Sequence, residues 1–274
     1  MESRIINSSR EEECLFPKIR EYELDITFFI PCLNEAANIK ATVETIIKAV
    51  KQFPLNYEIL VVDDASTDGT QEILRSIVKE NPESPIRFIL NAKHRGLGFN
   101  YYRGAFFAKG KHYMLVNGDN VESVDAIVEI IKYCGKSDII IPFFVKDKRS
   151  VFRRVTSVLF KTITDWLSGN KINYYNGPVL HLTDNVVLWR SETLGYGYQA
   201  ELLCRLLHEK ASYTEVAVPH TDRQRGFSKA FSLSNFLSVA NSLLHIFWRR
   251  MEYGVFKLLS PGMTDQVNDV NRKL

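Results

Sequence analysis

The chain has 274 residues, of which 45% are hydrophobic and 24% are charged, and its formal net charge is +3. This composition allows one large domain, or one domain with an appendage, and it excludes both a disordered chain and a strongly basic nucleic-acid-binding protein. The four cysteines show no CxxC spacing, which argues against a zinc site or a disulfide framework. Residues 1–25 lack the apolar segment of a signal peptide, and no run of about 18 apolar residues predicts a membrane span. A cytoplasmic protein is therefore expected.

Strands and helices alternate along the first half of the chain. Residues 1–22 are polar and charged and are predicted to be a loose N-terminal arm. Predicted strands follow at residues 25–31, 59–62, 86–90, 113–116 and 137–142, separated by helical patterns. This alternation indicates parallel β-α-β units and a doubly wound, mostly parallel α/β sheet, whose ligands bind at the carboxyl ends of the strands.

The second half contains two stretches with bulky apolar residues on one helical face, at 151–167 and 233–248. Basic residues flank both stretches. Periodicity by itself favours helices that face the core. Helices lying in a membrane interface have the same pattern, so this interpretation stays open.

The second predicted strand ends at an unusual number of acidic side chains. Asp63 and Asp64 follow the apolar residues 59–62 directly, and Asp68 stands four residues further on, before the next helix. One aspartate would be enough to cap that helix. The additional carboxylates therefore favour a binding site.

The segment Val62-Asp63-Asp64-Ala65-Ser66-Thr67-Asp68-Gly69-Thr70 resembles the nucleotide-binding signature of the family 2 glycosyltransferases. Pro31-Cys32-Leu33-Asn34-Glu35, at the end of the first strand, is similar to the Pro-x-x-Asn-Glu opening of that family. The resemblance covers residues 24–235 and implies the GT-A fold. It also implies that a nucleotide-sugar donor is bound by Pro31, Asn34, Glu35, Asp63 and Asp64.

Asn117-Gly118-Asp119 ends the fourth predicted strand, where the family has an Asp-x-Asp metal motif. The resemblance implies that Asp119 and Asn117 hold Mg²⁺ or Mn²⁺ against the donor diphosphate. Asn117 departs from the pattern, because an amide oxygen is a weaker ligand than a carboxylate. Asn120 or Glu122 could compensate for it.

Three further segments resemble parts of the donor and sugar sites. Residues 93–98, including Arg95, Gly96 and Gly98, are similar to an Asn-x-Gly-x-Gly segment beneath the donor, and Asn176 begins a turn that lines the sugar pocket in the family. Residues 198–203 look like the family segment that carries a catalytic-site carboxylate, here Glu201. An ordinary helix start with an acidic first turn explains Glu201 equally well.

Arg223-Gln224-Arg225-Gly226-Phe227-Ser228-Lys229 resembles the Arg-x-x-Gly-x-Ser-Lys segment of the dolichol-phosphate mannose synthase branch. The resemblance implies that Arg223, Arg225, Ser228 and Lys229 bind an acceptor phosphate, and that Arg225 and Lys229 act in catalysis together with Asp119 and Glu201. Guanidinium and ammonium groups suit phosphate oxygens. A solvated basic loop is the alternative.

These resemblances imply an inverting, membrane-associated glycosyltransferase that moves a sugar from a UDP- or GDP-linked donor to a polyprenyl phosphate at the cytosolic membrane face. The expected organisation is a GT-A domain at 23–230, with an interfacial helix at 151–167, and a C-terminal amphipathic helix and tail at 231–274. The expected partners are the membrane surface and either a membrane protein or a second copy of the chain, but not nucleic acid.

Two alternatives stay open. A transferase that acts on a saccharide or another hydroxyl acceptor would need a base, for which Glu201 is the candidate. A non-catalytic nucleotide-binding module is suggested by Asn117.

Overall fold

The computed structural model describes residues 20–80, 82–145, 151–191, 193–219 and 233–259. The strands are β1 (Leu24–Cys32), β2 (Tyr57–Asp63), β3 (Ile86–Leu90), β4 (Gly110–Leu115), β5 (Ile139–Val145), β6 (Leu180–Leu182) and β7 (Tyr213–Pro219). The helices are α1 (Ile39–Val50), α2 (Thr70–Glu80), α3 (Leu97–Phe107), α4 (Val124–Ile131), α5 (Val151–Ser168), α6 (Thr183–Leu188), α7 (Tyr198–His208) and α8 (Leu233–Leu259).

The seven strands of the described part of the chain form one sheet in the order β3-β2-β1-β4-β6-β5-β7. The pairs of β1 with β2 and β4, of β2 with β3 and of β5 with β7 are parallel, whereas β6 runs antiparallel to both of its neighbours. The predicted doubly wound, mostly parallel α/β sheet is confirmed. Neither β6 nor β7 was predicted, because three residues are too few to show a period and the alternation of β7 includes the polar Thr214 and Glu215.

Most predicted strand positions agree with the structure to within a few residues at their ends. The largest differences are three residues: β4 begins at Gly110 instead of the predicted Tyr113, and β5 ends at Val145 instead of the predicted Pro142. Lys111 and His112 belong to β4 although they interrupt the apolar pattern. The apolar pattern therefore locates these strands but not the residue at which each one begins or ends.

Helices cover both faces of the sheet, and each face has its own hydrophobic core. Consecutive residues of β1 alternate between the two cores: Phe28 packs in one and Phe29 in the other. Both are fully buried, as expected for a central parallel strand covered on both sides. The sheet therefore gives the loops at its carboxyl edge a rigid base.

The predicted N-terminal arm contacts the domain where it is described. A guanidinium nitrogen of Arg20 donates to the carbonyl of Ala105 at 3.0 Å, and the hydroxyl of Tyr22 donates to Asp184 at 2.5 Å. Residues 1–19 of the arm lie outside the described residues.

Helices α5 and α8 pack against each other. The Arg250 guanidinium of α8 donates to the carbonyl of Trp166 at 2.6 Å and to that of Leu167 at 3.2 Å, so it satisfies the last carbonyls of α5. Large apolar side chains stay exposed along both helices, at Val151, Val155, Val158, Leu159, Trp166, Leu237, Leu244, Trp248 and Met251. Within the described part of the chain, no helix has the length and apolar character to cross a bilayer.

Candidate active site

The loops after β1, β2 and β4 meet at one edge of the sheet because these neighbouring strands are parallel. The antiparallel β6 begins at the same edge, so Asn176 and Gly177, which precede it, lie there too. Gln199 in the first turn of α7 donates to the carbonyl of Gly177 at 2.7 Å. The structure thus brings the predicted donor, metal and sugar-pocket segments to one edge.

The loops after β1 and β2 are tied together by hydrogen bonds. The backbone N–H of Asn34 donates to Ser66 Oγ at 2.8 Å, and Asn34 Oδ1 accepts from the Thr67 N–H at 2.9 Å. Asp68 Oδ2 accepts from the Ala36 N–H at 3.0 Å. Asn34 and Asp68 therefore shape the site by holding its two acidic loops in register.

Two residues of these loops adopt the left-handed backbone conformation, Asn34 with φ of 59° and Ala65 with φ of 64°. Asparagine tolerates this conformation, whereas for alanine it is strained. Such strain is typical of functional sites, where the surrounding contacts hold it in place.

Asp63 is completely buried at the end of β2. Its Oδ1 accepts from the Ser66 N–H at 3.1 Å and from Gln71 Nε2 at 2.7 Å, while the Cys32 thiol donates to Oδ2 at 3.7 Å. A buried carboxylate with these partners stabilises the acidic turn from the inside.

Asp64 organises the loop after β3. Its Oδ1 accepts from Asn91 Nδ2 and from the Arg95 N–H, both at 2.8 Å. Its Oδ2 accepts from the Gly96 N–H at 2.9 Å and lies 2.7 Å from His94 Nδ1. Asp64 thus ties β2 to the loop that the sequence placed beneath the donor.

The electrostatics of Asp64 follow from this arrangement. Burial would raise the pKa of Asp64, but hydrogen bonds from Asn100, Asn91 and the backbone N–H groups of Arg95 and Gly96 outweigh it and lower the pKa below its usual value. Asn91 and Asn100 were not singled out in the sequence. The position of Asn91 directly after a strand was the signal that could have identified it.

Gly98 is required by a close backbone contact. Its N–H donates to the Leu194 carbonyl at 3.1 Å, and a Cβ at this position would lie 2.5 Å from the same oxygen. Gly96 adopts φ of 90°, which favours glycine. Arg95 is exposed beside this loop and lies over the ring of Phe99 at 4.4 Å.

The segment Asn117-Gly118-Asp119 follows β4 and lies close to the end of β1. A Cβ at Gly118 would lie 2.8 Å from the carbonyl oxygen of Pro31. Asn117 and Asp119 are half-buried here. The donor set is one carboxylate and one amide oxygen, which fits a magnesium or manganese ion that takes its remaining ligands from phosphate and water.

The two residues expected to compensate for Asn117 have other partners. Asn120 Oδ1 accepts from Thr45 Oγ1 of α1 at 3.0 Å. The carboxylate of Glu122 accepts twice from Asn117, from Nδ2 at 2.6 Å and from the backbone N–H at 3.1 Å. Burial raises the pKa of Glu122 to about 7; the Asp119 charge acts in the same direction and the Asn117 donors oppose it. Among the described residues, no group of three His, Cys, Asp or Glu side chains is placed to hold a metal.

Glu201 lies in the first turn of α7 and is 1% exposed. Its Oε2 accepts from Thr193 Oγ1 at 2.6 Å, and the same Thr193 oxygen lies 2.6 Å from Ser242 Oγ of α8. These contacts connect α7, the segment before it and α8. The role of Glu201 as a base stays a prediction, and its partners Thr193 and Ser242 could not be identified from the sequence.

The predicted acceptor-phosphate residues Arg223, Arg225, Ser228 and Lys229 lie outside the described residues. The preceding strand, β7, is parallel to β5 and ends at Pro219 opposite Val145. The chain therefore leaves the sheet at the edge where the other predicted site segments meet.

Comparison with known proteins gives consistent matches. The family described as Glycosyl transferase family 2 matches residues 27–188. A dolichyl-phosphate beta-glucosyltransferase of Dictyostelium discoideum is 23% identical over 94% of this chain and 86% of its own length. A dolichyl-phosphate beta-glucosyltransferase of Trichomonas vaginalis is 27% identical over 45% of this chain and 38% of its own length.

Among solved structures, glucosyl-3-phosphoglycerate synthase from Mycobacterium tuberculosis superimposes with a TM-score of 0.60 at 17% identity, over 82% of this chain and 80% of that one. That structure is a complex with Mn²⁺, UDP and glucosyl-3-phosphoglycerate, and another of the same enzyme contains Mg²⁺ and UDP. At this identity the likeness shows a shared fold.

Proposed function

The chain belongs to glycosyl transferase family 2 and is a glycosyltransferase, and from this premise we propose that it transfers a sugar from a nucleoside-diphosphate donor to a polyprenyl phosphate, with inversion. The observation that carries the donor half of the proposal is the convergence of Asn34, Asp64 and Asp119 at one edge of the sheet. The dolichyl-phosphate beta-glucosyltransferases support the acceptor half and make glucose the first sugar to test.

Each part of this edge has a task in the proposed reaction. The loop held by Asp64 would bring the exposed Arg95 guanidinium to the edge where the donor would bind. Asp119 and Asn117 would hold Mg²⁺ or Mn²⁺. When bound, the metal would neutralise charge on the departing nucleoside diphosphate.

The acceptor needs little activation in this reaction. A phosphate monoester is already an anion at neutral pH, so attack on the sugar depends on positioning and on neutralisation of charge more than on a general base. Arg223, Arg225, Ser228 and Lys229 are proposed to bind that phosphate.

The test is transfer of labelled sugar from a panel of UDP- and GDP-linked donors into an organic-extractable product, with a short-chain polyprenyl phosphate and Mg²⁺ or Mn²⁺. Asp119→Ala and the isosteric Asp119→Asn should abolish transfer. Asp125→Asn is the matched control, since Asp125 is an exposed aspartate on α4 a few residues away. Transfer only to a saccharide, without lipid product, would contradict the acceptor assignment. Donor binding without any turnover would indicate a non-catalytic module.

We further propose that the enzyme attaches peripherally to the cytosolic face of a membrane through α5 and α8. The support is the row of exposed apolar side chains on both helices, which includes Trp166 and Trp248 at 75% and 60% exposure. Tryptophan and basic residues on an amphipathic face suit the lipid headgroup region.

Cosedimentation with vesicles that contain anionic phospholipid tests the attachment. The double variant W166S/W248S should lose most of the bound fraction, whereas L188S, which removes an exposed apolar side chain of α6, should not. Equal binding of all three proteins would refute the attachment. A concentration-dependent dimer that only W166S/W248S loses would instead assign the face to a second copy of the chain.

A further inference from the structure

We propose that Glu122 is a positioning residue for the metal site, which orients the side-chain amide of Asn117 so that its oxygen faces the donor diphosphate. The inference rests on the proposed function and deepens it. The family motif has a carboxylate at position 117, and this chain has an amide there. A carboxylate stands five residues later instead, in direct contact with that amide.

The hydrogen bonds of Asn117 fix the direction of its side chain. Glu122 Oε1 accepts from Asn117 Nδ2 at 2.6 Å, and Glu122 Oε2 accepts from the Asn117 N–H at 3.1 Å. Because both Glu122 oxygens accept from Asn117, the oxygen of this amide turns to the other side. Within the described part of the chain, Asn117 Oδ1 accepts no hydrogen bond.

Glu122 itself is held in place behind Asn117. It is 7% exposed, and the next residue, Ser123, caps α4 by accepting from the Ala126 N–H at 3.2 Å. On the other side, Asn120 accepts a hydrogen bond from Thr45. Both ends of this short loop are therefore anchored, and both Glu122 oxygens face Asn117, so Glu122 supports the ligand residue without being a ligand.

This arrangement predicts that the amide at position 117 and the carboxylate at position 122 can be replaced together, as in N117D/E122Q, whereas either single substitution impairs the site. In E122Q, glutamine offers one acceptor and one donor, and the donor draws Asn117 Oδ1 away from the metal. In N117D, the new carboxylate lies beside that of Glu122, and the two like charges repel each other. In N117D/E122Q, the glutamine amide donates to one aspartate oxygen and leaves the other for the metal.

The experiment measures Mn²⁺ binding by electron paramagnetic resonance in the presence of UDP or GDP, without any acceptor or turnover. We expect E122Q to weaken Mn²⁺ binding about tenfold, the lower range for a residue that supports a metal ligand. N117D should lower the melting midpoint of the metal-free protein by about 3 °C or more. N117D/E122Q should recover both the midpoint and Mn²⁺ affinity to within about threefold of the native protein.

The matched control is E58Q, because Glu58 is another buried glutamate with several donors but lies near the start of β2, at the opposite edge of the sheet. E58Q should reduce stability and leave Mn²⁺ affinity unchanged. Unchanged affinity in E122Q, or a double variant no better than E122Q, would overturn the role of Glu122. If E122Q does not fold, the role of Glu122 would be overturned by an N117D/E122Q protein that is no more stable than N117D.

The wild-type titration separates this inference from the proposed function. Wild-type protein that takes up no Mn²⁺ with either nucleotide would refute the metal-dependent donor site, and the role of Glu122 with it. Wild-type binding that the Glu122 variants do not affect would refute the role of Glu122 alone.

Discussion

The substitution Gly98→Ala tests whether the backbone contact between α3 and the segment before α7 controls donor binding. Gly98 lies in α3, where alanine would be favoured over glycine by about 1 kcal/mol from helix propensity. The new Cβ, however, would lie 2.5 Å from the Leu194 carbonyl oxygen. An ordinary contact begins near 3.4 Å, so the two segments must separate by about 0.9 Å.

This separation lengthens or breaks the hydrogen bond from the Gly98 N–H to Leu194, which contributes about 0.5–1.5 kcal/mol. Overpacking adds about 1–3 kcal/mol. After the gain in propensity is subtracted, G98A should destabilise the protein by about 0.5–3.5 kcal/mol. The loop held by Asp64 shifts with α3, so donor affinity should fall as well, by about tenfold or more.

Chemical denaturation and nucleotide titration measure the two effects separately, and two other glycines serve as controls. G104A places its Cβ within 2.3 Å of the Tyr113 hydroxyl in the core, so it should lose stability while the folded fraction keeps its donor affinity. G254A has no neighbour within 4 Å and should be neutral or stabilising. Donor affinity in G98A equal to that in G104A would refute the reasoning.

Three further substitutions test buried polar side chains. D64N places an amide where two N–H groups and His94 converge, so donor affinity should fall about tenfold or more in nucleotide titrations, and native affinity would contradict the organising role of Asp64. E201Q keeps an acceptor for Thr193, so turnover with a polyprenyl phosphate should stay within tenfold of native; lost turnover with intact donor binding would favour a hydroxyl acceptor and a catalytic base. Burial lowers the pKa of His181 from 6.5 to about 3, so on acidification the unfolded chain takes up the proton before the folded protein does. The stability that comes from keeping the ring neutral is therefore complete above pH 6.5 and is lost as the pH falls towards 3. At pH 5 this loss amounts to about 2 kcal/mol, so urea midpoints of H181L should fall less than those of the native protein between pH 7 and pH 5, and parallel curves would exclude the effect.

The sequence by itself determined the fold class and the edge at which the predicted site residues lie. The apolar stretches of β1 and β2 stop at Pro31-Cys32-Leu33-Asn34-Glu35 and at Asp63-Asp64, and both endings are local features that a single sequence shows. Parallel strands then place these endings side by side without further information. Asn117 and Asp119, for which the resemblance implies metal binding, lie at the same edge because β4 is also parallel to β1.

Only the tertiary structure decided what the individual polar groups do. Asp64 is predicted to bind the donor, and the structure adds that its partners Asn91, Arg95 and Gly96 come from another loop, 27 or more residues away. The contact of Glu201 with Thr193 and Ser242 likewise joins three separate segments, and the short β6 exists only because two longer strands flank it. A strand and the residue at which it ends depend on neighbouring residues in the sequence. The direction of a carboxylate depends on hydrogen-bond donors that only the folded chain brings within reach.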